Sequence, residues 1–305
     1  LAVAVVTMGN VGASVLRAAT AASSNGTTYL IATAGGQLFL LTTAAILLTL
    51  GESSITVWLA AYAGAVTIPA LVAWVLLRAD PEPKVRLAYS GLWRIRRAGI
   101  TVLPATAASM VMLRSDRLLL PFLGSFEQAG WYLVVATLTE LIAWPATSWV
   151  DAHVSTWRRQ HEAATLNRLR PLMVLAGYGA AAAVAVIAAG WLLLVPIFGE
   201  EFAPSLPLLA PLAVAAALYG VSRGAVGLAL ATGNLRAPLW TDIPAMAIAV
   251  TIYLLLIPTL GAMGAAWGSL IGYSAAAVAA IALALRRTPD PATAATANTH
   301  INLVS

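Results

Sequence analysis

Cysteine is absent, lysine occurs once, at Lys84, and only 10% of the 305 residues are charged. Each shortage excludes a class of chemistry. Without cysteine there are no disulfides, no thiolate metal sites and no cysteine nucleophile. The one lysine sits in "EPKVRL", so no Gly-x-x-x-x-Gly-Lys-Ser/Thr loop exists and a P-loop ATPase is ruled out. The charged share is far below the roughly 25% of an average soluble domain, while 60% of the residues are hydrophobic. That balance belongs to a membrane protein. A net charge of +5 raises nucleic acid as a partner, but the basic residues stand in short clusters between apolar runs. Membrane proteins distribute orientation charges in this way, so no nucleic acid is expected. The chain opens on "LAVAVVTMGN", with neither an initiator Met nor a basic region before the first apolar stretch, and an N-terminal truncation is expected rather than a signal peptide.

A helix that crosses the hydrocarbon needs about 20 mostly apolar residues. About nine segments meet or approach that length, at roughly 1–22, 28–50, 54–77, 98–120, 128–150, 171–196, 205–231, 239–258 and 263–285. The first is the weakest. Helix-stopping residues punctuate them at "SSNGTT", "LGESS", "FGEEFAPS", "ATGNLRAP" and "IPTLGAMG". The expected fold class is therefore an all-α polytopic membrane protein.

Two longer polar connections set an expected orientation. Residues 78–97 carry Arg78, Lys84, Arg86, Arg94, Arg96 and Arg97, and residues 151–170 carry Arg158, Arg159, Arg168 and Arg170. With alternating helices both fall on one side, with Arg17, Arg236, Arg286 and Arg287, and the positive-inside rule makes that side cytoplasmic. The opposite turns hold Glu52, Glu127, Glu200 and Glu201; Arg114 and Arg117 are the basic residues near that side. The tail from Thr288 reads as a disordered cytoplasmic extension, which puts the C-terminus in the cytoplasm.

A faint internal repeat relates the two ends. The segment 54–77 follows "LTLG", contains Trp58 and ends at Arg78; the segment 263–285 follows "PTLG", contains Trp267 and ends at Arg286. Chance similarity between Ala- and Leu-rich helices explains such short matches as readily as common descent. Taken as a repeat, it makes residues 1–77 the last three helices of an N-terminal lobe, 78–97 a basic lobe linker, 98–287 a complete C-terminal lobe of about six helices and 288–305 a tail. About three further helices would precede the chain, for about twelve in all.

Ionisable groups inside spans are costly unless they face protein or a wet cavity, so they mark candidate sites. The apolar run 98–113 makes only about 24 Å of helix, so the helix should continue through Arg114, Asp116 and Arg117 to Leu120. Arg114 and Arg117 then share a face and present together toward an anion, with Asp116 pointing elsewhere. The alternative is a pair of interfacial arginines that snorkel to headgroups. Arg223, in "YGVSRGAVG", lies about 15 Å deep and is either a pathway cation or half of a structural ion pair with Glu140 or Asp242. Glu140, mid-span in "TLTELIAWP", carries a coupling proton or pairs with an arginine. Asp242 is expected in an interfacial or helix N-terminal role. Trp131, Tyr132 and Trp240 read as interfacial anchors, His153 and His161 as solvated residues of a basic loop. The small-residue spacings Gly220/Gly224 and Gly264/Gly268/Gly272 read as helix-packing faces, and Pro104, Pro145 and Pro244 as kinks.

The runs "RSDRLLLPFLGSFEQAGWYLVVATLTELI" (114–142), "VPIFGEEFAPSLPLLAPLAVAAALYGVSRGAVGLALATGN" (195–234) and "IPTLGAMGAAWGSLIGY" (257–273) resemble the polysaccharide transporter family. These are the O-antigen and exopolysaccharide flippases of the multidrug/oligosaccharidyl-lipid/polysaccharide flippase superfamily. The likeness covers residues 12–287. It implies two lobes around a central cavity in the inner (cytoplasmic) membrane, and alternating access that moves a polyprenyl-pyrophosphate-linked oligosaccharide from the inner to the outer leaflet. It implies no enzyme activity, no cofactor and no metal, a proton or sodium gradient as the energy source to consider, and polysaccharide polymerase machinery as a partner. Arg223, Arg114, Arg117, Asp116 and Glu140 would line the cargo pathway, arginine being suited to phosphate because its fork binds oxygens bidentately. Two other classes compete: a membrane-embedded glycosyltransferase or polymerase of lipid-linked sugars, and an inactive transporter remnant. The first needs a sizeable loop bearing acid and base groups, and the turns on the Glu-bearing side are short.

Overall fold

The computed structural model describes residues 26–51, 54–79 and 89–286. All the regular structure among them is helical. Helix α1 spans Gly26–Thr49, α2 Ile55–Ala79, α3 Tyr89–Leu123, α4 Phe126–Glu162, α5 Leu169–Phe198, α6 Leu209–Ala231, α7 Ala237–Leu260 and α8 Ala262–Leu285, with a 3-10 segment, Glu200–Leu208, before α6. Among the described residues, six helical stretches are long and apolar enough to cross a membrane: Ile55–Leu76, Phe126–Glu162, Leu169–Phe198, Glu200–Ala231, Ala237–Leu260 and Ala262–Leu285.

That is fewer than the nine expected. The segment 1–22 and the tail from residue 288 lie outside the described residues. The segments 28–50 and 98–120 are helical but not among the six: α1 contributes a shorter apolar helix, Leu38–Leu47, and α3 carries Arg114, Asp116 and Arg117 along its length. The two polar connections are also shorter than expected. Helix α3 already begins at Tyr89, so Arg94, Arg96 and Arg97 are helical, and α4 runs on to Glu162 through Arg158 and Arg159. The extension of α4 is held by local contacts four residues apart. Arg158 pairs with Glu162, and the rings of Trp149, His153 and Trp157 stack along one face. His153 is therefore a half-buried aromatic partner, whose Nδ1 lies 2.8 Å from the Trp149 carbonyl, and not a solvated loop residue. The expected helix at 205–231 is 3-10 until Leu208 because Pro204 and Pro207 lack the amide hydrogens that an α ladder needs.

The chain divides into two compact units, residues 1–87 and 88–305. In the first, α1 packs along α2. In the second, α8 is flanked by α7 and α6; α3 lies on α7, while α4 and α5 lie on α6. The small-residue faces make this packing possible. A Cβ at Gly264 would meet the Leu256 backbone, one at Gly268 the Tyr253 ring, and one at Gly272 would come within 2.6 Å of the Ala249 Cβ. Close approach of this kind substitutes dispersion for the hydrophobic drive that lipid cannot supply. Outward-facing side chains such as Phe122, Leu192 and Val278 are exposed and apolar, as surfaces that face hydrocarbon must be.

Short turns join α3 to α4, α6 to α7 and α7 to α8. Gly199, Gly233 and Gly261 take positive φ at helix ends, a conformation that costs glycine little. Ser125 caps α4, its hydroxyl accepting from the Gln128 amide at 3.2 Å, and the Gln128 side chain in turn accepts from the Ala262 amide at the start of α8. At the far end, Arg168 donates to the Ala284 carbonyl at 3.1 Å, tying the start of α5 to the end of α8. Ser125→Ala removes a cap and is expected to lower stability by about 1 kcal/mol, measured as the thermal midpoint of purified protein in detergent.

Candidate functional site

Helices α3 and α4 are consecutive and joined by the turn at Gly124 and Ser125, yet they touch each other sparsely because α3 packs on α7 and α4 on α6. The gap between them is an open-sided cavity of about 170 Å³, with α3 and α4 as walls and α6 and α8 contributing Ala215, Tyr219, Ser269 and Tyr273 to its floor. Arg114, Asp116, Arg117 and Glu140 all line it.

Side chains on a helix lean toward its N-terminus. On α3 that direction leads away from Leu123, so Arg114 and Arg117 reach into the bundle; on α4 it leads toward Phe126, so Glu140 reaches up to meet them. Arg114 Nη1 donates to Glu140 Oε1 at 3.3 Å, and Arg117 Nη2 donates to the same oxygen. The two cations therefore converge on one carboxylate across the cleft instead of snorkelling toward the nearer helix end. They are held unequally: the Arg114 side chain is 55% exposed, that of Arg117 19%. Arg117 Nε is buried and has no hydrogen-bond partner among the described residues.

Asp116 does not point away from this group, as the helical spacing suggested. It is buried in the cleft lining, where one oxygen accepts from the Arg117 amide at 2.7 Å and the other from the Tyr132 hydroxyl at 2.6 Å. The Tyr132 and Ser269 hydroxyls share a hydrogen bond of 3.0 Å, and those of Ser269 and Tyr253 one of 2.9 Å. Tyr132 is thus a fully buried link between α3, α4 and α8 and not an interfacial anchor, whereas Trp240 is exposed on α7. A proton direction running Tyr253 to Ser269 to Tyr132 to Asp116 provides every hydroxyl with an acceptor.

Arg223 lies apart from this cluster. Its guanidinium forms a bidentate pair with Asp242 on α7, through Nη1 to Oδ2 at 3.1 Å and Nη2 to Oδ1. Asp242 also accepts from Thr241 at 3.2 Å and is 1% exposed, so its role is a buried counter-ion and not an interfacial one. Arg223 meets the cleft lining at Tyr219, over whose ring it sits at 5.2 Å, and the Tyr219 and Tyr273 rings lie tilted against each other with centroids 5.4 Å apart.

A second cavity, of about 150 Å³, separates α4 from α5 and is lined by apolar residues, Leu138, Leu141, Val186, Leu193 and Ile197 among others. Among the described residues, no three His, Asp or Glu side chains gather as metal ligands. Sequence reasoning misplaced Tyr132 at the interface and passed over Ser269, Tyr253 and Tyr273: hydroxyls on apolar helices, whose signal is that a buried hydroxyl must find a partner. Comparison with protein-family models, with characterised proteins and with solved structures finds no match to this chain.

Proposed function

We propose that this chain belongs to a membrane transporter that flips an amphiphile with an anionic headgroup, a polyprenyl-pyrophosphate-linked oligosaccharide, from the inner to the outer leaflet by alternating access. The observation that carries the reading is the convergence of Arg114 and Arg117 inside a cleft that opens between two helices of a lipid-facing bundle. A charged headgroup needs that shelter, because phosphate cannot cross hydrocarbon unpaired. Guanidinium forks supply charge-assisted bonds to phosphate oxygens, while the apolar tail stays in lipid beside the open side. The finer architecture belongs to the same proposal: about nine spans in this chain, the second compact unit acting as one lobe of a two-lobe transporter in the inner membrane, and a cytoplasmic C-terminus. Transfer without covalent chemistry is preferred over a glycosyltransferase because the turns at Gly124, Gly199 and Gly261 are too short to gather an acid and a base around a sugar.

The test is leaflet transfer of a fluorescent prenyl-pyrophosphate-linked oligosaccharide in vesicles containing the full chain. Each charge-assisted bond contributes about 1.5–3 kcal/mol, so the Arg114→Ala/Arg117→Ala double variant, which loses at least two, is expected to slow transfer by more than about 100-fold. An unchanged rate in correctly inserted double variant overturns the reading.

A further inference from the structure

The cleft has two ends of different chemistry. One is charged, where Arg114, Arg117 and Glu140 meet. Past Glu140 along α4 the lining continues through Ala143, Trp144 and Thr147, and α6 adds Tyr219; no formally charged side chain lines this part. The register of α6 is set at Gly220, where a Cβ would lie 3.0 Å from that of Ala146, so Tyr219 stands level with the turn from Trp144 to Thr147. We propose that this end is a sugar subsite. It seats one pyranose ring joined to the phosphoryl group held by Arg114 and Arg117, with a C–H face of the ring on Trp144 and its hydroxyls on Tyr219 and Tyr273. The inference rests on the reading of Arg114 and Arg117 as an anion site and names what is attached to the anion.

The tyrosines carry the argument. Buried hydroxyls are almost always hydrogen-bonded, and Tyr132 and Tyr253 obey, each bonding Ser269. Tyr273, one turn along α8 from Ser269, does not. It is 8% exposed and lines the cleft, yet its hydroxyl has no hydrogen-bond partner among the described residues, and neither has that of Tyr219. Their rings lie 5.4 Å apart, so two phenols, each able to donate and to accept, reach the cleft side by side. A sugar ring uses both capacities without bringing charge; a second phosphoryl group would use the donors alone, and the guanidiniums lie at the other end. Thr147 adds an acceptor, because its hydroxyl donates to the Trp144 carbonyl at 3.0 Å and keeps its lone pairs free. Trp144 is 49% exposed and four residues from Glu140, on the same face of α4; its flat apolar ring suits a C–H face and its indole N–H a hydroxyl. Volume sets the extent of the subsite. The cleft, at about 170 Å³, is smaller than the roughly 300–1,000 Å³ that encloses a drug-sized ligand, so one ring beside a phosphoryl group fills it and further sugars lie outside.

Two diphosphate diesters of equal charge test this by titration calorimetry on the full chain in detergent: glucosyl farnesyl diphosphate and methyl farnesyl diphosphate, which differ in the sugar alone. The unmodified protein is expected to bind the glucosyl probe at least about tenfold more tightly than the methyl probe, as two phenol hydrogen bonds and a stacked face allow. Tyr219→Phe/Tyr273→Phe keeps both rings and should cut that preference to about threefold or less, with the methyl probe bound within about twofold of its unmodified affinity. Trp144→Leu should act in the same direction, whereas Arg117→Gln should weaken both probes alike. If the unmodified protein binds the two probes equally, the sugar subsite is wrong while the anion site stands. A preference that survives both the tyrosine and the tryptophan substitutions puts the sugar elsewhere, and equal loss of both probes in the tyrosine variant gives those hydroxyls to a phosphate oxygen; either result overturns the assignment. If the unmodified protein binds neither probe, the anion site itself falls, and the subsite with it. The tyrosine variant, which loses no ring, keeps the test decisive should Trp144→Leu fail to fold.

Discussion

Asp242→Ala is expected to destabilise the bundle by about 3–5 kcal/mol, because it leaves the Arg223 charge buried without its counter-ion. The pair joins α6 to α7, two helices that otherwise meet little because α8 packs against both. Its members are 18% and 2% exposed by side chain, so water cannot replace the lost carboxylate, and Arg223 Nε already has no hydrogen-bond partner among the described residues. At roughly 2–4 °C per kcal/mol for a domain of this size, the thermal midpoint in detergent should fall by about 10 °C. Replacing both members by apolar residues, Arg223→Met with Asp242→Leu, should restore most of the loss, since the desolvation cost of the pair disappears with the pair. A double variant as unstable as Asp242→Ala would mean that the ion pair is not what the substitution disturbs. The Arg158–Glu162 pair supplies the contrast: with side chains 72% and 63% exposed, Glu162→Gln should change stability by less than about 0.5 kcal/mol.

What could be read from the sequence, and what could not, divides along physical lines. Helix ends at Gly199, Gly233 and Gly261 were legible because glycine at a positive φ is a local signal. The spacing of Gly264, Gly268 and Gly272 was legible as a packing face for the same reason: a four-residue period is a property of one helix. The cleft cations Arg114 and Arg117 stood out because charge in an apolar run needs an explanation. Glu140 stood out on the same ground, as a carboxylate that could pair with an arginine. Which arginines it pairs with was not legible, since it is a helix away and an Arg can be matched by any carboxylate at a suitable depth. Tyr132 was misread for a related reason. A tyrosine near a helix end satisfies its hydroxyl equally well at a membrane interface or against a buried acceptor, and only the tertiary arrangement, which sets Asp116 and Ser269 beside it, decides between them. The long reach of α4 past residue 150 was hidden by its polarity: the aromatic stripe Trp149, His153, Trp157 is helical in period, but a charge-rich segment between two spans resembles a loop.

Gly268→Ala joins the packing face to the cleft, and its effect should be large for so small a change. The added methyl would meet the Tyr253 ring, with Cε1 at 2.5 Å, and Tyr253 is fully buried, so the ring has nowhere to swing without moving α7. Overpacking of this kind costs about 1–3 kcal/mol. Displacing the ring also breaks the hydrogen bond from Tyr253 to Ser269, worth about 1 kcal/mol more, and Ser269 is the floor residue that holds Tyr132 against Asp116. A loss of about 3 kcal/mol is therefore expected, with Tyr253→Phe accounting for about 1 of it. A double-mutant cycle isolates the cause. Tyr253→Ala alone should cost about 3–5 kcal/mol for the lost ring, but in that background Gly268→Ala should cost less than about 0.5, a coupling of about 2 kcal/mol or more. If Gly268→Ala is equally damaging with and without the Tyr253 ring, contact with that ring is not why position 268 needs glycine, and the hydroxyl chain is positioned by something other than the α7–α8 seam.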